Sequence, residues 1–414
     1  MPSLRLTSEE ESWLAGDAGP VMQLAAEVTV ATANAAGATE LVPVEFAHIS
    51  SSFWSGQISV DFAEFLLQHD AKFVVPTHLN ASVIDRGASY RTDADFPMEA
   101  TGTARLVEIY ESLGANPMWT CAPYHQAEGR PEFGQQVIGS ESNAVSFFNS
   151  VLGARTNKYG DFLDVCGAVM GRVPLTGRHT DEGRLATHVF SVQLDDSELD
   201  DASLPHVLGI ILGANAGSAI PVLDGLPKSL TEEDLKAIAA AGATSGAVEM
   251  FHAVGLTPEA PTLHDALGGR RPELSTVIDQ GLVDRTFEAL STAASIPVDT
   301  ICLGAPHFSV DAFGEFHEDL AGRRLAEGVR CIITTSRAVF AEIELRGWAA
   351  SLEASGVEIV LDTCSYFMPR MPQLGNHVMT NSAKWAYYAP GMLGVDITFA
   401  ALRDCAEVAV GGSS

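Results

Sequence analysis

A chain of 414 residues is too long for one ordinary core, so two or three packed units are expected. With 46% hydrophobic and 19% charged residues it has ample apolar material to fold, which excludes a disordered chain. Its formal charge of −29 repels polyanions, so neither nucleic acid nor an anionic membrane surface is an expected partner.

The opening Met1-Pro2-Ser3-Leu4-Arg5 lacks the apolar core of a secretory signal. No apolar run reaches the roughly 18 residues that span a bilayer. Cys121, Cys166, Cys302, Cys331, Cys364 and Cys405 are too scattered for a small disulfide framework. Reduced thiols and a cytoplasmic location are the expectation.

In chain order, Ser8-Glu9-Glu10-Glu11 predicts a capping box that opens a short helix ended by Gly16. A longer Ala- and Val-rich helix follows Pro20. Strands are predicted at 41–44 and 72–75, separated by an amphipathic stretch at 62–69. The second strand should release Pro76-Thr77-His78-Leu79-Asn80 as a polar loop, where ligands sit in open α/β sheets. Cys121 closes another strand-like run. Gly139-Ser140-Glu141-Ser142-Asn143-Ala144-Val145 begins a helix whose free N–H groups favour an anion.

Further on, β-like runs fall at 187–192 and 207–212. Thr231-Glu232-Glu233-Asp234 starts a helix expected to continue to about 254, with Glu249 and His252 three apart on one face. Residues 258–275 read as a connection. Strands at 300–303, 331–334 and 357–361 then alternate with helices at about 311–327 and 337–354, a parallel βαβαβ pattern. Each strand is followed by polar or sulfur groups: Pro306-His307, Ser336-Arg337 and Asp362-Thr363-Cys364. The expected fold is α/β, with subdomains near 1–163, 164–270 and 271–414.

GxGxxG after a strand, GxxxxGK, HExxH, GxSxG and C-x-x-C are all missing. Cys121, Cys166 and Cys364 stand in polar settings, and thiolates from separate loops suit an iron–sulfur cluster; each also fits an ordinary core position. Cys331 and Cys405, with apolar neighbours, read as core. Ser140 and Glu141 are either a plain N-cap or part of an anion site. Arg155 is either a bidentate carboxylate grip or a surface ion pair. Lys384, before Trp385, Tyr387 and Tyr388, is either a snorkelling side chain or a substrate contact. His78, His179, His252 and His307 are candidate bases or hydrogen-bonded structural residues.

Eight segments, in order, resemble the large catalytic subunit of the aconitase X family over nearly the whole chain. They are Pro76-Thr77-His78-Leu79-Asn80, Thr120-Cys121-Ala122-Pro123-Tyr124, Ser140-Glu141-Ser142-Asn143-Ala144-Val145 and Asn149-Ser150-Val151-Leu152-Gly153-Ala154-Arg155-Thr156-Asn157. Ser245-Gly246-Ala247-Val248, Gly304-Ala305-Pro306-His307, Asp362-Thr363-Cys364 and Met379-Thr380-Asn381-Ser382-Ala383-Lys384 complete the set.

The resemblance implies an aconitase-superfamily fold and a hydro-lyase acting on a small hydroxy acid. One branch of the family dehydrates cis-3-hydroxy-L-proline and another mevalonate 5-phosphate. It also implies an iron–sulfur cluster held by three cysteines, a Lewis acid toward the leaving group. Where the phosphomevalonate branch has Gly-Cys-Pro-His this chain has Gly304-Ala305-Pro306-His307, and the Tyr159-Gly160-Asp161-Phe162-Leu163-Asp164-Val165-Cys166 segment looks like the hydroxyproline branch. The expected ligands are therefore Cys121, Cys166 and Cys364, with Cys302 in reserve. A 2Fe–2S centre is expected, with 3Fe–4S and 4Fe–4S as alternatives.

On the same resemblance Ser140, Glu141 and Lys384 are catalytic candidates. Thr77, His78, Asn80, Ser142, Arg155, Thr156, Asn157, His307 and Ser382 are expected to contact substrate, Arg155 and the helix start at Ser140 orienting its carboxylate. A separate small swivelling subunit is implied, since no segment here is left over to form that domain. Two rival readings remain: mevalonate 5-phosphate as substrate, which a total of 24 Lys and Arg disfavours, and a non-catalytic ligand-binding subunit without a cluster.

Overall fold

Short strands, mostly parallel and wrapped by helices, organise the chain into four sheets among the described residues. The computed structural model describes residues 3–82, 97–292, 297–365 and 374–412. The architecture is α/β, as the alternation of strand and helix patterns implies.

The N-terminal unit contains β1 (Leu41–Pro43), β2 (Ala47–Ile49), β3 (Thr77–Leu79), β4 (Ile138–Gly139) and β5 (Arg172–Pro174). β2 runs parallel between β3 and β4, and β1 pairs antiparallel with β5. The first helix, Ser8–Ala15, ends at Gly16 as expected, but its capping box is one residue earlier. Thr7 is the extended residue, and it exchanges bonds of 3.2 and 2.8 Å with Glu10. The predicted strand at 72–75 does not form, and the segment expected as a loop is β3 itself. Pro76 has no N–H, so pairing starts after it. Thr77, His78 and Leu79 are all buried, whereas Val74 stays 59% exposed. Cys121 lies in an irregular loop rather than at a strand end.

The middle unit contains β6 (His188–Val192), β7 (Pro221–Asp224), β8 (His252–Ala253) and β9 (Leu274–Ile278), all parallel in the order β8-β7-β6-β9. The run at 207–212 belongs to the helix Leu204–Ala216, not to a strand. An apolar run buried on every side suits either element, and here it packs against the helix Glu232–Gly246. Glycines allow the approach: a Cβ on Gly246 would stand 1.8 Å from the Gly213 carbonyl oxygen. The second helix stops at Gly246, where Ala247 turns left-handed at φ 56°. Glu249 therefore lies beyond the helix and His252 on β8, so the two share no helix face.

The C-terminal unit contains β10 (Thr300–Leu303), β11 (Arg330–Thr335), β12 (Glu358–Leu361), β13 (His377–Thr380) and β14 (Asp396–Phe399). All are parallel, in the order β12-β11-β10-β13-β14. The three predicted strands stand where expected, and two more follow. The helix expected at 337–354 is two, Arg337–Leu345 and Trp348–Ser355, parted at Gly347 with φ 75°. The chain winds outward from β10 to β12 and then returns to the other side of β10. The switch point between β10 and β13 opens a crevice at their carboxyl ends. No helix among the described residues is long and apolar enough to cross a membrane.

Candidate active site

Cys121 and Cys364 meet across the fold with their sulfurs 3.6 Å apart, both side chains buried. His307, in the loop after β10, joins them: one ring nitrogen and the two sulfurs lie within 4.8 Å of one another. Its backbone N–H donates to Cys121 Sγ at 3.3 Å. Its Nε2 donates to the Thr363 carbonyl at 2.9 Å, which leaves Nδ1 to accept from the Thr120 hydroxyl at 3.0 Å. Both ring nitrogens are engaged, so His307 is a strut that fixes the residues preceding each cysteine.

Burial alone would push the Cys121 thiol up. The hydrogen bond with Cys364, the neighbouring His307 and the Lys384 charge outweigh it and bring Cys121 down to about 6. That same bond, together with burial, holds Cys364 well above the usual thiol range. Two thiolates at about 2.3 Å from one tetrahedral metal would stand about 3.8 Å apart. The observed spacing fits two ligands on a single soft metal.

Cys166 and Cys302 do not join this group. Cys166 belongs to a separate N-terminal core, on the helix Leu163–Met170, where burial pushes its thiol up to about 12. Cys302 is inside β10, its thiol also raised by burial. Alternation along β10 turns Cys302 into the same core as Cys121 and Cys364, but the side chains that meet within 4.8 Å are those two and His307.

Glu141 is the N-cap of the helix Ser142–Ser150, its Oε2 accepting from the Ala144 N–H at 2.7 Å. Its Oε1 accepts from Lys384 Nζ at 2.8 Å and from the Ser142 hydroxyl at 3.2 Å. The cap and the site are therefore one arrangement, not alternatives. Burial would raise the Glu141 carboxyl, but the Lys384 ammonium and the hydrogen bonds hold it below the ordinary value. Asn143 links this helix start to the thiols, donating to the Cys121 carbonyl at 2.9 Å.

A cavity of about 310 Å³ opens over the pair, lined by Ser50, Phe53, Asn80, Ala81, Ser140, Glu141, Ser142, Lys158, Asp161, Lys384, Tyr388 and Met392. Beneath it Asp164 accepts from the Ser51 hydroxyl at 2.5 Å, the Ser50 N–H at 2.9 Å and the Ser140 hydroxyl at 3.0 Å. Burial nevertheless raises its carboxyl to about 6. A larger cavity, about 390 Å³, lies at the β10–β13 crevice beside Ser382, but neither the thiols nor the Glu141–Lys384 pair line it.

Sequence models of the first, second and third domains of aconitase X match residues 3–182, 186–288 and 298–411. The chain belongs to the aconitase X family. It is 40% identical to cis-3-hydroxy-L-proline dehydratase of Pseudomonas aeruginosa, covering 99% of this chain and 70% of that protein. The enzyme of the same name from Hypocrea jecorina is 36% identical over 99% of this chain and 69% of its own length. The phosphomevalonate dehydratase large subunit of Methanocaldococcus jannaschii is 30% identical, covering 96% of this chain and 98% of that protein. The crystal structure of Thermococcus kodakaraensis aconitase X in its holo-form superposes with a TM-score of 0.86 at 28% identity, covering 98% of this chain and 100% of that one. This aconitase X chain is thus a hydro-lyase, which sets aside the non-catalytic reading.

Of the expected site residues, Asn80, Ser140, Glu141, Ser142 and Lys384 line one cavity, with Cys121, Cys364 and His307 nearby. The others serve elsewhere. Arg155 pairs with Asp181 and donates to the His179 carbonyl at 3.3 Å. Thr156 accepts from the Gly139 N–H, and Asn157 donates to the Thr176 carbonyl, so both fasten loops. Thr77 bonds its own Val75 carbonyl, and His78 packs edge-on to Phe46. Ser382 caps the helix Ala383–Leu393 and donates to the Ala305 carbonyl. Sequence reasoning assigned no role to Lys158, Asp161, Asp164 or Ser50. The first three lie in or beside the quoted Tyr159–Cys166 segment, so a signal was present in their placement but not in their type.

Proposed function

We propose that the chain removes water from cis-3-hydroxy-L-proline to give a pyrroline carboxylate, using an iron–sulfur cluster held by Cys121 and Cys364. The observation that carries the reading is the Glu141–Lys384 pair, buried in a cavity close enough to the thiols for both charges to act on Cys121. The 40% and 36% identities to enzymes of that name support the substrate. When bound, the cluster would supply Lewis acidity toward the leaving hydroxyl. The 3.6 Å sulfur spacing favours two thiolates per iron, as in a 2Fe–2S centre, over one per iron, as in 4Fe–4S.

The protein's own part follows from placement. Glu141 holds the Lys384 ammonium at the cavity wall, where its proton can pass to the departing C3 hydroxyl, which leaves as water. A base takes the C2 proton, the C2–C3 double bond forms, and the enamine tautomerises to a cyclic imine. We assign that base to a separate small swivelling subunit that closes the cavity. Relatives of similar extent named large subunits support such a partner. Free, buried cysteines suit a reducing cytoplasm.

The test is turnover by anaerobically prepared chain co-expressed with its small subunit, given each candidate substrate. Loss of water from cis-3-hydroxy-L-proline is expected. Exclusive turnover of mevalonate 5-phosphate would overturn the assignment.

A further inference from the structure

The cavity's four charged side chains fall into two kinds. Glu141 and Lys384 neutralise each other at 2.8 Å. Lys158 and Asp161 line the same cavity, and among the described residues neither has an oppositely charged side chain within 4.0 Å. Ser55 lies beside Asp161 and favours its charged form, and both the charge and the backbone of Lys158 favour the charged form of Glu249 without a salt bridge between the two. At the rim of the cavity these two exposed side chains thus offer one cation and one anion outside any salt bridge among the described residues, three residues apart.

The backbone fixes both. Lys158 bridges to Gly139, and the next N–H, from Tyr159, donates to the Gly139 carbonyl at 3.0 Å. On the other side Phe162 adopts φ 71°, a left-handed conformation that a bulky residue avoids. Two contacts hold it there: its N–H donates to Ser51 Oγ at 3.0 Å, and its ring meets Phe62 edge-on at 4.9 Å. Backbone strain is thus stored directly beside the Asp161 carboxylate.

We propose that Asp161 and Lys158 form a zwitterion clamp that sets substrate class: Asp161 receives the ring ammonium of a cyclic amino acid and Lys158 its carboxylate. The assignment rests on the hydroxyproline reading above and deepens it. Phe53, Tyr388 and Met392 supply apolar surface for the ring methylenes. A phosphorylated hydroxy acid, anionic at both ends, would set one charge against Asp161 and is disfavoured by repulsion.

The experiment uses the chain with its small subunit and compares cis-3-hydroxy-L-proline with the ring analogue whose nitrogen is replaced by oxygen. L-Proline serves as a non-reacting ligand for calorimetry. In Asp161→Asn the KM for hydroxyproline should rise about 30-fold with kcat within a few-fold, since a charge-assisted bond is lost. The preference for nitrogen over oxygen in the ring should disappear, and Lys158→Gln should raise KM without erasing that preference. Unchanged KM in Asp161→Asn, with wild-type turnover intact, overturns the clamp while the dehydratase reading stands. If the wild type fails to dehydrate hydroxyproline yet binds L-proline in an Asp161-dependent way, the substrate reading falls and the clamp stands. Neither turnover nor proline binding overturns both.

Discussion

Lys384 Nζ lies 2.8 Å from Glu141 Oε1 although the two residues are 243 positions apart, and both side chains are buried. The pair closes the N-terminal unit onto the C-terminal one at the cavity wall. A buried charge is tolerable only while its partner remains. Lys384→Met should therefore cost about 3–5 kcal/mol by leaving the Glu141 carboxylate unpaired. The double variant Glu141→Gln/Lys384→Met should recover most of that in urea unfolding. Its kcat should remain at least about 100-fold down, the size of a lost general acid. Recovery of activity together with stability would reduce the pair to a structural tie.

The paired thiols predict a selective pattern of metal loss. Cys121→Ser and Cys364→Ser should each lose bound iron and the visible absorption of a cluster. Cys166→Ser should keep both, because its side chain packs in another core. Anaerobic iron analysis of the three variants decides the point, and loss of iron from Cys166→Ser would show that the helix Leu163–Met170 contributes a ligand.

The C-terminal sheet is readable from sequence because Ile301-Cys302-Leu303, Ile332-Ile333 and Ile359-Val360 are short apolar runs spaced by amphipathic helices. The 207–212 run is ambiguous for the opposite reason: burial on all sides removes the periodicity that separates helix from strand. Its glycines held the answer, since Gly209 and Gly213 match Gly242 and Gly246 at a spacing of four on the facing helix. In the site, Glu141, Lys384, Cys121 and Cys364 are legible as residues whose type suits chemistry at caps and loops. Lys158 and Asp161 are not, because a single charge in a sequence looks the same whether it faces solvent or a cavity.

That glycine contact is itself testable. Gly246→Ala would place a methyl 1.8 Å from the Gly213 carbonyl oxygen, backbone that cannot rotate aside. The two helices must separate, at a cost of about 3 kcal/mol. Gly391→Ala, in the helix Ala383–Leu393 with nothing within 4 Å, should instead stabilise by about 0.5–1 kcal/mol. Denaturant midpoints moving in opposite directions are expected, and a neutral Gly246→Ala would mean that the helices are not in close contact.

Buried histidines set the response to acid. His179 donates from Nδ1 to Gln136 Oε1 at 2.5 Å, while Nε2 accepts from the Tyr159 hydroxyl at 2.5 Å. A second proton on Nε2 would abolish that acceptor, and burial, with Arg184 and Arg155 near, lowers the ring to about 3. Burial likewise lowers His48 to about 4. Both lie below the ordinary 6.5, so each contributes stability that is complete above pH 6.5 and is lost as pH falls toward those values. Asp164, raised by burial to about 6, has the opposite sign: its contribution is complete below its ordinary 3.8 and is lost as pH rises through 6. Burial lowers His206 to about 4 as well and lowers His78, His125, His188 and His252, so the histidines outweigh the Asp164 carboxyl and leave a net loss in acid, at about 1.4 kcal/mol per pH unit per uncompensated proton. Urea midpoints should be level above pH 7 and fall steeply from 6 to 4. His179→Gln should flatten that slope by about one proton, since its amide cannot charge. An unaltered slope would mean that His179 is already protonated in the fold, against the donor set that surrounds it.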